Sequence, residues 1–441
     1  MARVSLVSLG CPKNLVDSEG VLGEIVQAGH QLVTDKSHAD VIVVNTCGFI
    51  DSARAESVEA ILDAVEHKKV GNCRAVVAIG CLTQRFAREL AKELPEVDAF
   101  LGIDHAGKIA QAIDAALSGR RTVEECGPPR EWLERKVRVL STPQWTAYVK
   151  VSDGCDNRCS YCAIPDIRGP FRSRPEKYII DEAKRLADSG VRELILVGQD
   201  LTKYGEDRGQ PNSLPDLLEK INAVEGLRWI RLLYCYPTRI TTELIDAISG
   251  LEKVVKYIDI PLQHGDDAVL KAMNRRGTSA DYLRVIDALR EKMPEIALRT
   301  SFIVGFPGET DEAFDRLLAF VERIQFDRVG VFTYSREEGT PAARMRPKIS
   351  PKIAKSRRDR LMRIQQSISL AKNRRFIGKK LEVLVEGRTE YGVFGRSYRD
   401  APEIDGLVYV NGSTAEPGQF VRVEITAAKE YDLEGVISSA N

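Results

Sequence analysis

The chain has 441 residues, of which 43% are hydrophobic and 29% charged, and its formal net charge at pH 7 is zero. This composition is typical of folded globular proteins and excludes a disordered or fibrous chain, while the length predicts two or three domains. The neutral overall charge gives no indication of binding to nucleic acid or to a membrane surface.

Nine cysteines are scattered along the chain, an odd number that does not fit a secreted disulfide framework. Their number favours a reducing compartment in which thiols bind metal. No apolar stretch reaches the length of a membrane-spanning helix. We therefore expect a cytoplasmic protein that is not bound to a membrane.

Residues 1–119 alternate between strand and helix patterns, which predicts an amino-terminal doubly wound α/β domain. Short β-branched runs predict buried parallel strands, and amphipathic stretches between them predict helices that begin after the capping residues Asn14 and Asp51. The predicted strands are Val4–Leu9, Val41–Val44 and Ala75–Ile79, and the predicted helices are Leu15–Ala28, Ser52–Glu66 and Thr83–Leu94.

Cys11, Cys47 and Cys81 each stand just past the carboxyl end of one of these strands. Ligands bind at that edge of an open α/β sheet, so three loops far apart in sequence would bring three thiolates together. The alternative is three separate buried cysteines, which are common. Loop-forming neighbours such as Gly10 and Gly48 favour a metal cluster.

Residues 120–140 are charged, contain Pro128 and Pro129, and predict a linker. A second alternation of strands and helices follows, and it predicts a central partial (β/α)6 barrel within residues 141–371. The predicted strands are Ala147–Val151, Leu194–Val197, Trp229–Cys235, Val254–Ile260, Leu298–Val304 and Val329–Tyr334, with helices at Glu182–Ala187, Thr242–Ile248, Tyr282–Met293 and Asp311–Ile324.

A C-x₃-C-x₂-C triplet, formed by Cys155, Cys159 and Cys162, follows the first strand of this barrel. Structural zinc sites and ordinary ferredoxin clusters use four protein ligands. Three thiolates on one tight loop, with Gly154 and Asn157 allowing a compact turn, favour a 4Fe–4S cluster that keeps one iron open. A zinc loop is the alternative.

Residues 344–375 carry 12 Lys and Arg against one Asp, a net charge of +11. A narrow apolar stripe predicts a long surface helix, which either is simply solvated or binds a polyanion.

Residues 372–441 are predicted to be a small antiparallel β-barrel, with strands at Leu381–Val385, Gly406–Val410 and Phe420–Ile425. From Phe376 onward the chain has 7 Lys and Arg against 11 Asp and Glu, a net charge of −4. A barrel of this sign is a poor phosphate binder.

The triplet resembles that of radical S-adenosylmethionine enzymes, and the resemblance then extends over nearly the whole chain. Cys11, Cys47 and Cys81 match the amino-terminal domain of methylthiotransferases, and the last barrel matches their TRAM domain. The sequences of these motifs are most similar to those of the RimO-type branch, which modifies small-subunit ribosomal protein twelve. The matching stretches are 8–17, 45–50, 154–175, Pro261–His264 and Gly305–Thr310.

This resemblance implies a transferase with two 4Fe–4S clusters and S-adenosylmethionine as cofactors. The triplet cluster would generate a 5′-deoxyadenosyl radical, and the cluster on Cys11, Cys47 and Cys81 would carry sulfur. The substrate would be the β-carbon of an aspartate of ribosomal protein twelve, giving 3-methylthioaspartate. An electron donor is also implied, and we expect a monomer without catalytic residues beyond the cluster ligands.

By the same resemblance, Tyr161 would pack near the adenine and Gly198, Gln199 and Asp200 would bind the methionine part of the cofactor. Gly305 would lie in the adenosine-binding stretch, which departs from the general radical pattern by having Ser301 for the usual glycine and Glu309 one place late. Gly198 as a simple turn and Tyr161 as packing are the alternatives.

Two other functions remain open from the sequence. A tRNA methylthiotransferase that modifies an adenosine next to the anticodon would use the same chemistry, and the +11 segment favours it. An iron–sulfur electron carrier or scaffold would need only the cysteines and would leave the barrel without a role.

The remaining candidate residues have weaker patterns. Arg168, Arg172 and Arg174 either anchor carboxylates or are solvated, and His264 is either a proton shuttle or a packed side chain. Three further cysteines are interpreted as structural: Cys73, Cys126 and Cys235.

Overall fold

The computed structural model describes residues 1–103, 107–124, 127, 129–132, 134 and 137–438; Cys126 and Pro128 lie outside these residues. The chain divides into two compact units. The first consists of Met1–Thr142, Ser152–Arg174 and Ser335–Ala343, and the second of Pro143–Val151, Pro175–Tyr334 and Arg344–Asn441. None of the helices described is both long and apolar enough to cross a membrane.

The first unit is built on a six-stranded, fully parallel sheet with the spatial order β2-β1-β3-β4-β5-β6. Helices lie on both of its faces, which confirms the doubly wound domain. Its strands are β1 Arg3–Ser8, β2 Gln31–Leu32, β3 Val41–Thr46, β4 Ala75–Gly80, β5 Ala99–Leu101 and β6 Thr122–Val123, and its main helices are α1 Pro12–Gln27, α2 Asp51–Val70, α3 Cys81–Glu93 and α4 Ile109–Leu117.

The strands of this sheet are buried on both faces because successive side chains point to opposite sides. In β4, Val77 packs into one core with Ile25 of α1 and Ile113 of α4. Its neighbour Val76 packs into the other core with Ile61 of α2. Helices α1 and α4 therefore cover one face, and α2 covers the other.

The two predicted helix caps are wrong by one to three residues. Helix α1 begins at Pro12 with Cys11 as its N-cap, and α2 begins at Asp51 itself. Proline suits the first helical turn because its φ is preset and its missing N–H is not needed there. Asn14 is instead a buried residue of α1, and its amide donates to Leu9 O at 2.6 Å and Thr46 O at 3.3 Å.

The second unit contains the six predicted parallel strands, hydrogen-bonded to one another in chain order. This confirms the partial (β/α)6 arrangement. Its strands are β7 Thr146–Lys150, β10 Glu193–Val197, β11 Trp229–Leu232, β12 Val254–Asp259, β13 Ala297–Val304 and β14 Arg328–Thr333, while the short pair β8 Ser152–Asp153 and β9 Arg172–Ser173 belongs to the first unit. The helices are α5 Ile164–Arg168 (first unit), α6 Glu176–Asp188, α7 Leu214–Asn222, α8 Thr242–Gly250, α9 Asp267–Ala272, α10 Ser279–Lys292 and α11 Asp311–Ile324.

A long helix, α12 Pro351–Arg374, and a closed five-stranded barrel complete the second unit. The barrel strands pair antiparallel except for one parallel pair, β17 with β19. They are β15 Lys380–Thr389, β16 Gly392–Ser397, β17 Val408–Asn411, β18 Phe420–Ala428 and β19 Leu433–Ile437. The sequence patterns had located three of these five strands.

Helix α12 packs closely on the second unit, and part of its positive charge is neutralised there. Leu361 is fully buried, and Gln365 Nε2 donates to Phe326 O at 2.9 Å. Arg357 is 2.6 Å from Asp311, and Lys372 is 2.8 Å from Asp327. The charge of +11 in the sequence therefore overstates the charge that this segment presents to solvent.

A buried ionic network joins the central sheet to the barrel within the second unit. Glu193 at the start of β10 accepts from Arg231 Nε at 2.8 Å and from Arg396 at 2.5 Å. All three side chains are at most 1% exposed. Burial by itself would raise the pKa of Glu193, but the two guanidinium groups outweigh burial and lower it.

We expect Glu193→Gln to destabilise the second unit by about 3–5 kcal/mol, because the buried Arg231 would lose its counter-charge and the buried Arg396 would keep only Glu386. Urea unfolding of both proteins measures this difference. The matched variant Glu416→Gln, which removes an exposed partner of Arg388, should cost about 1 kcal/mol or less. Because the folded-state pKa of Glu193 is lowered, the stability it contributes is present at neutral pH and is lost as the pH falls through the acidic range. A difference that grows on acidification would contradict this assignment.

Candidate functional site

Cys11, Cys47 and Cys81 lie where strands of the first sheet end and helices begin. Cys11 is the N-cap of α1, Cys47 directly follows β3, and Cys81 is the first residue of α3. The chain runs outward from β1 to β2 on one side and continues through β3 and β4 on the other, with α1 and α2 on opposite faces. Ligands of doubly wound sheets bind at such a switch point.

Glycines allow the three cysteine loops to approach one another closely. Gly10 has a φ of +92°, and a Cβ there would lie 2.9 Å from Cys47 Cβ and 3.1 Å from its sulfur. A Cβ on Gly48 would lie 2.7 Å from the carbonyl oxygen of Cys81. The backbone at Gly10 therefore packs on the side chain of Cys47, and the backbone at Gly48 packs on the backbone at Cys81, which brings the three cysteines together.

The backbone of Cys47 is fixed by Ser57 of α2, a contact that the sequence patterns did not reveal. The Cys47 N–H donates to Ser57 Oγ at 2.9 Å, and that hydroxyl donates to Cys47 O at 3.0 Å. Ser57 is fully buried. Burial, followed by the charges of Cys81 and Cys11, raises the pKa of Cys47 to about 11 despite a hydrogen bond from the backbone of Phe49.

The other two thiols differ in their electrostatic surroundings. Burial raises the pKa of Cys81, and the positive charge of Arg168 opposes that shift only in part. For Cys11, burial is outweighed by the charges of Lys13 and Arg168 and by the backbone N–H groups of Asn14 and Lys13, so its pKa is lowered. Cys11 is therefore the thiol most ready to ionise of these three.

The triplet loop is closed at its base by the pairing of β8 with β9. Cys155 N–H donates to Gly169 O at 3.1 Å, and Cys162 N–H donates to Cys159 O at 3.0 Å. Gly154 has a φ of +75°, and a Cβ there would overlap Pro170 O, so only glycine fits. Arg158 is a second left-handed residue in this loop, with a φ of +48°.

Arg168, at the end of α5, connects this loop to the cysteines of the sheet. It is 1% exposed, and its Nη1 donates to Asp17 at 2.7 Å and to Asp153 at 3.0 Å. Its Nη2 lies 3.3 Å from both Asn14 Oδ1 and Cys81 Sγ. Burial alone would lower the pKa of Arg168, but the charges of Asp153, Cys81 and Asp17 raise it. Arg168 therefore anchors carboxylates, and the solvated alternative is wrong.

The two neighbouring arginines are buried as well. Arg174 pairs with Glu134. Arg172 donates to three backbone carbonyls, those of Pro129, Arg168 and Pro170, at 2.8–2.9 Å. Arg172 touches no cysteine in these bonds, so its role is to hold the loop.

Residues Ser335–Ala343, which we call the strap, belong to the first unit. The strap contacts both the helices that follow the cysteines of the sheet and the loop that carries the triplet. The buried carboxylate of Glu337 accepts from Asp51 N–H at 3.1 Å, from Arg54, and from Arg85 at 3.4 Å. At the other end, Ala342 N–H donates to Ser160 O, inside the triplet, at 2.8 Å. The strap thus reaches from the start of α2 to the triplet loop.

The residues predicted to bind S-adenosylmethionine are distributed over both units. Tyr161 is a half-buried residue of the first unit. Gly198, Gln199 and Asp200 follow the carboxyl end of β10 in the second unit, where Thr202 donates to the buried Asp200 at 2.7 Å. Gly305 follows β13 with a φ of +74°, and a Cβ there would overlap Ala354 of α12.

Glu309 closes the loop that contains Gly305. Its carboxylate accepts from the backbone N–H groups of Gly305 and Phe306. His264 Nε2 lies 3.7 Å from Glu309 Oε1, and both side chains are fully buried. Asp266 N–H donates to His264 Nδ1 at 3.0 Å, so His264 is a packed residue that caps a turn.

Cys11, Cys47 and Cys81 are free thiols, as are the buried Cys73 and Cys235. No three His, Cys, Asp or Glu side chains are placed to share a single metal ion within the part of the chain that the structure describes. Two sets of three thiols without a His or carboxylate among them form the donor chemistry of iron–sulfur clusters, which are held by thiolates. The residues present therefore fit such clusters.

Three segments of the chain match known families. Residues 149–321 match the radical SAM superfamily, residues 3–102 the uncharacterized protein family UPF0004, and residues 377–437 the TRAM domain. The chain is 48% identical over 441 residues to a ribosomal protein uS12 methylthiotransferase RimO from Geobacter sulfurreducens, covering 99% of each chain. It is also 48% identical to a protein of the same name from Heliobacterium modesticaldum, covering 98% of this chain and 94% of that one.

The fold is similar to that of solved radical S-adenosylmethionine enzymes. The methyltransferase TsrM from Kitasatospora setae aligns with a TM-score of 0.58 at 15% identity, covering 83% of this chain and 89% of that one. The cobalamin-dependent enzyme OxsB aligns with a TM-score of 0.52 at 12% identity, covering 83% and 56%. At these identities the likeness concerns the fold alone.

In metal-free protein at pH 8, we expect iodoacetamide to modify Cys11 more than tenfold faster than Cys47. The pKa of Cys47 is about 11, so roughly one thiol in a thousand is ionised at that pH, whereas the pKa of Cys11 is lowered and its side chain is less buried. Peptide mass spectrometry at timed intervals measures both rates. In urea-unfolded protein the two rates should converge, and equal rates in the folded protein would contradict the geometry of this site.

Proposed function

This chain belongs to the RimO family of ribosomal protein uS12 methylthiotransferases, and we propose that it attaches a methylthio group to the β-carbon of an aspartate of uS12. The product is 3-methylthioaspartate. The observation that carries this proposal is the pair of three-cysteine sites in one unit, linked by Arg168 through Asp153 and Cys81. An electron carrier would need only the cysteines and would leave the second unit without a role.

Cys155, Cys159 and Cys162 would hold one 4Fe–4S cluster, and Cys11, Cys47 and Cys81 the other. When bound, the first cluster with S-adenosylmethionine supplies the radical that removes hydrogen from carbon, and the second supplies sulfur. Three thiolates per cluster leave one iron without a protein ligand. The chain's own contribution is to orient these thiols and to bury three of them, Cys47, Cys81 and Cys159.

Several residues of the chain perform that orienting role. Ser57 fixes the backbone at Cys47, and Gly154 allows the turn that presents Cys155. The half-buried Tyr161 is proposed to pack on the adenine of the cofactor, and the loops after β10 and β13 to bind the rest. The residues proposed in those loops are Gly198, Gln199, Asp200 and Gly305.

The charge of the last barrel supports a basic protein as the substrate. Its sequence carries −4. Four of its charged side chains are about 1% exposed and pair with residues outside the barrel: two arginines, Arg396 and Arg399, and two aspartates, Asp400 and Asp405. Because these four charges sum to zero, the remaining side chains of the barrel keep the net charge of −4. Ribosomal proteins are basic, whereas a tRNA would meet repulsion there. The positive charge of α12, which favoured tRNA, is partly neutralised within the second unit.

We propose the following domain limits: residues 1–119 for the domain of the sulfur-carrying cluster, 120–140 for the linker, 141–371 for the radical S-adenosylmethionine core, and 372–441 for the TRAM barrel. The protein is proposed to act in the cytoplasm as a monomer without membrane attachment. A separate electron donor is required, because none of the chain's side chains can supply low-potential electrons repeatedly.

The two sites can be separated by substitution. Cys155→Ala should abolish the reductive formation of 5′-deoxyadenosine from S-adenosylmethionine, because the radical-generating cluster loses a ligand. Cys47→Ala should retain that product and abolish methylthio transfer. Chromatography of the reaction mixtures with dithionite as reductant measures both. The matched variant Cys235→Ala, outside both sites, should keep both activities, and loss of 5′-deoxyadenosine in Cys47→Ala would contradict the assignment.

The substrate is tested by incubating the reconstituted enzyme with purified uS12 and, separately, with unmodified tRNA. We expect a mass increase corresponding to one methylthio group on a single aspartate of uS12, located by tandem mass spectrometry. A change of that aspartate to asparagine in uS12 serves as the control and should prevent the modification. Modification of tRNA alone would refute the proposed substrate.

A further inference from the structure

The buried guanidinium of Arg168 connects the two cysteine sites. Arg168 lies six residues beyond Cys162, at the end of α5, and it is 1% exposed. Helix α5 packs against the second site, since Ala163 and Ile167 form a small apolar cluster with Cys81. Arg168 is therefore supplied by the segment of one site and directed at the other.

The hydrogen bonds of Arg168 are divided between these two segments. On the side of the triplet, Nη1 donates to Asp153, two residues before Cys155, at 3.0 Å. On the side of the sheet, Nη1 also donates to Asp17 at 2.7 Å, and Nη2 lies 3.3 Å from both Asn14 Oδ1 and Cys81 Sγ. The sulfur of Cys81 thus receives a charged donor, which is unusual beside a thiol that is already buried.

The charges around Cys81 come from a small set of side chains. Arg168 and, near Cys11, Lys13 are positive; Asp17 and Asp153 are negative. Arg168 is in direct contact with the sulfur of Cys81, a candidate ligand. The negative charge of Asp17 raises the pKa of Cys81, whereas the positive charge of Arg168 lowers it.

We propose that Arg168 is a positioning residue that raises the reduction potential of the cluster held by Cys11, Cys47 and Cys81. Hydrogen bonds to ligand sulfur and nearby positive charge favour the reduced, more negative state of a cluster. The inference rests on the proposed function for the presence of this cluster. It adds that the segment following the triplet tunes the second cluster electrostatically.

The test uses protein in which Cys155, Cys159 and Cys162 are all changed to alanine, so that the second cluster is the one reconstituted. Its midpoint potential is measured by redox titration followed by electron paramagnetic resonance. In this background Arg168→Gln should lower the ratio of reduced to oxidised cluster at a fixed potential about tenfold, which is a decrease of about 60 mV for a one-electron couple. Arg168→Lys, which keeps the charge, should restore most of that decrease.

Asp17→Asn distinguishes an electrostatic role from a merely structural one. Removal of this negative charge should raise the potential, opposite to the effect of Arg168→Gln, whereas structural damage would not reverse in sign. Arg172→Gln is the matched control, because Arg172 belongs to the same loop and is also buried, at 8% exposed against 1% for Arg168, but donates to carbonyl groups. It should leave the potential unchanged.

An unchanged potential in Arg168→Gln, or shifts of the same sign in Arg168→Gln and Asp17→Asn, would overturn the proposal. If Arg168→Gln does not retain iron, Asp17→Asn alone decides, because the proposal requires its potential to rise. If the proposed function is wrong, the result is different: wild-type enzyme forms a cluster at these cysteines but does not modify uS12.

Discussion

A buried guanidinium keeps its charge and must be surrounded by acceptors, because removing an ion from water costs several kcal/mol unless it is paired and hydrogen-bonded. Arg168 meets this requirement with groups from three separate parts of the first unit: Asp17 and Asn14 of α1, Cys81 of α3 and Asp153 of β8. None of these acceptors can shift without leaving part of the charge unpaired. The relative positions of the cysteine loops are consequently tied to one ionic centre.

The parallel sheet explains why this centre can exist. The faces of this sheet are covered by apolar side chains, so its polar site lies at the ends of the strands. At the carboxyl ends of β1, β3 and β4, Cys11, Cys47 and Cys81 lie together with Asn14. The glycines at these turns remove the Cβ atoms that would hold the loops apart. These loops are tightly packed and present polar atoms, so they can surround the guanidinium group of Arg168 with acceptors.

The sequence predicted those features that depend on local periodicity. All six strands of the second sheet and helix α11, Asp311–Ile324, were located because their apolar residues repeat with the period of each element. The barrel strands β16 and β19 were missed, since Gly392, Gly395 and Gly435 interrupt their alternation. The start of α1 was misplaced because Asn14 resembles a cap by residue type, whereas its side chain donates from within the helix to the carbonyl oxygens of Leu9 and Thr46.

The features that could not be predicted are contacts between residues distant in sequence. Asp17 and Arg168 are 151 positions apart, and Glu337 is 283 positions from Arg54. No periodic pattern encodes such pairs, so the sequence left Arg168 undecided between a carboxylate anchor and a solvated side chain. Their common effect is that both three-cysteine sites lie in one compact unit although 144 positions separate Cys11 from Cys155. The separation of the two sites is therefore set by packing within that unit, and reactions that need both can rely on a fixed geometry.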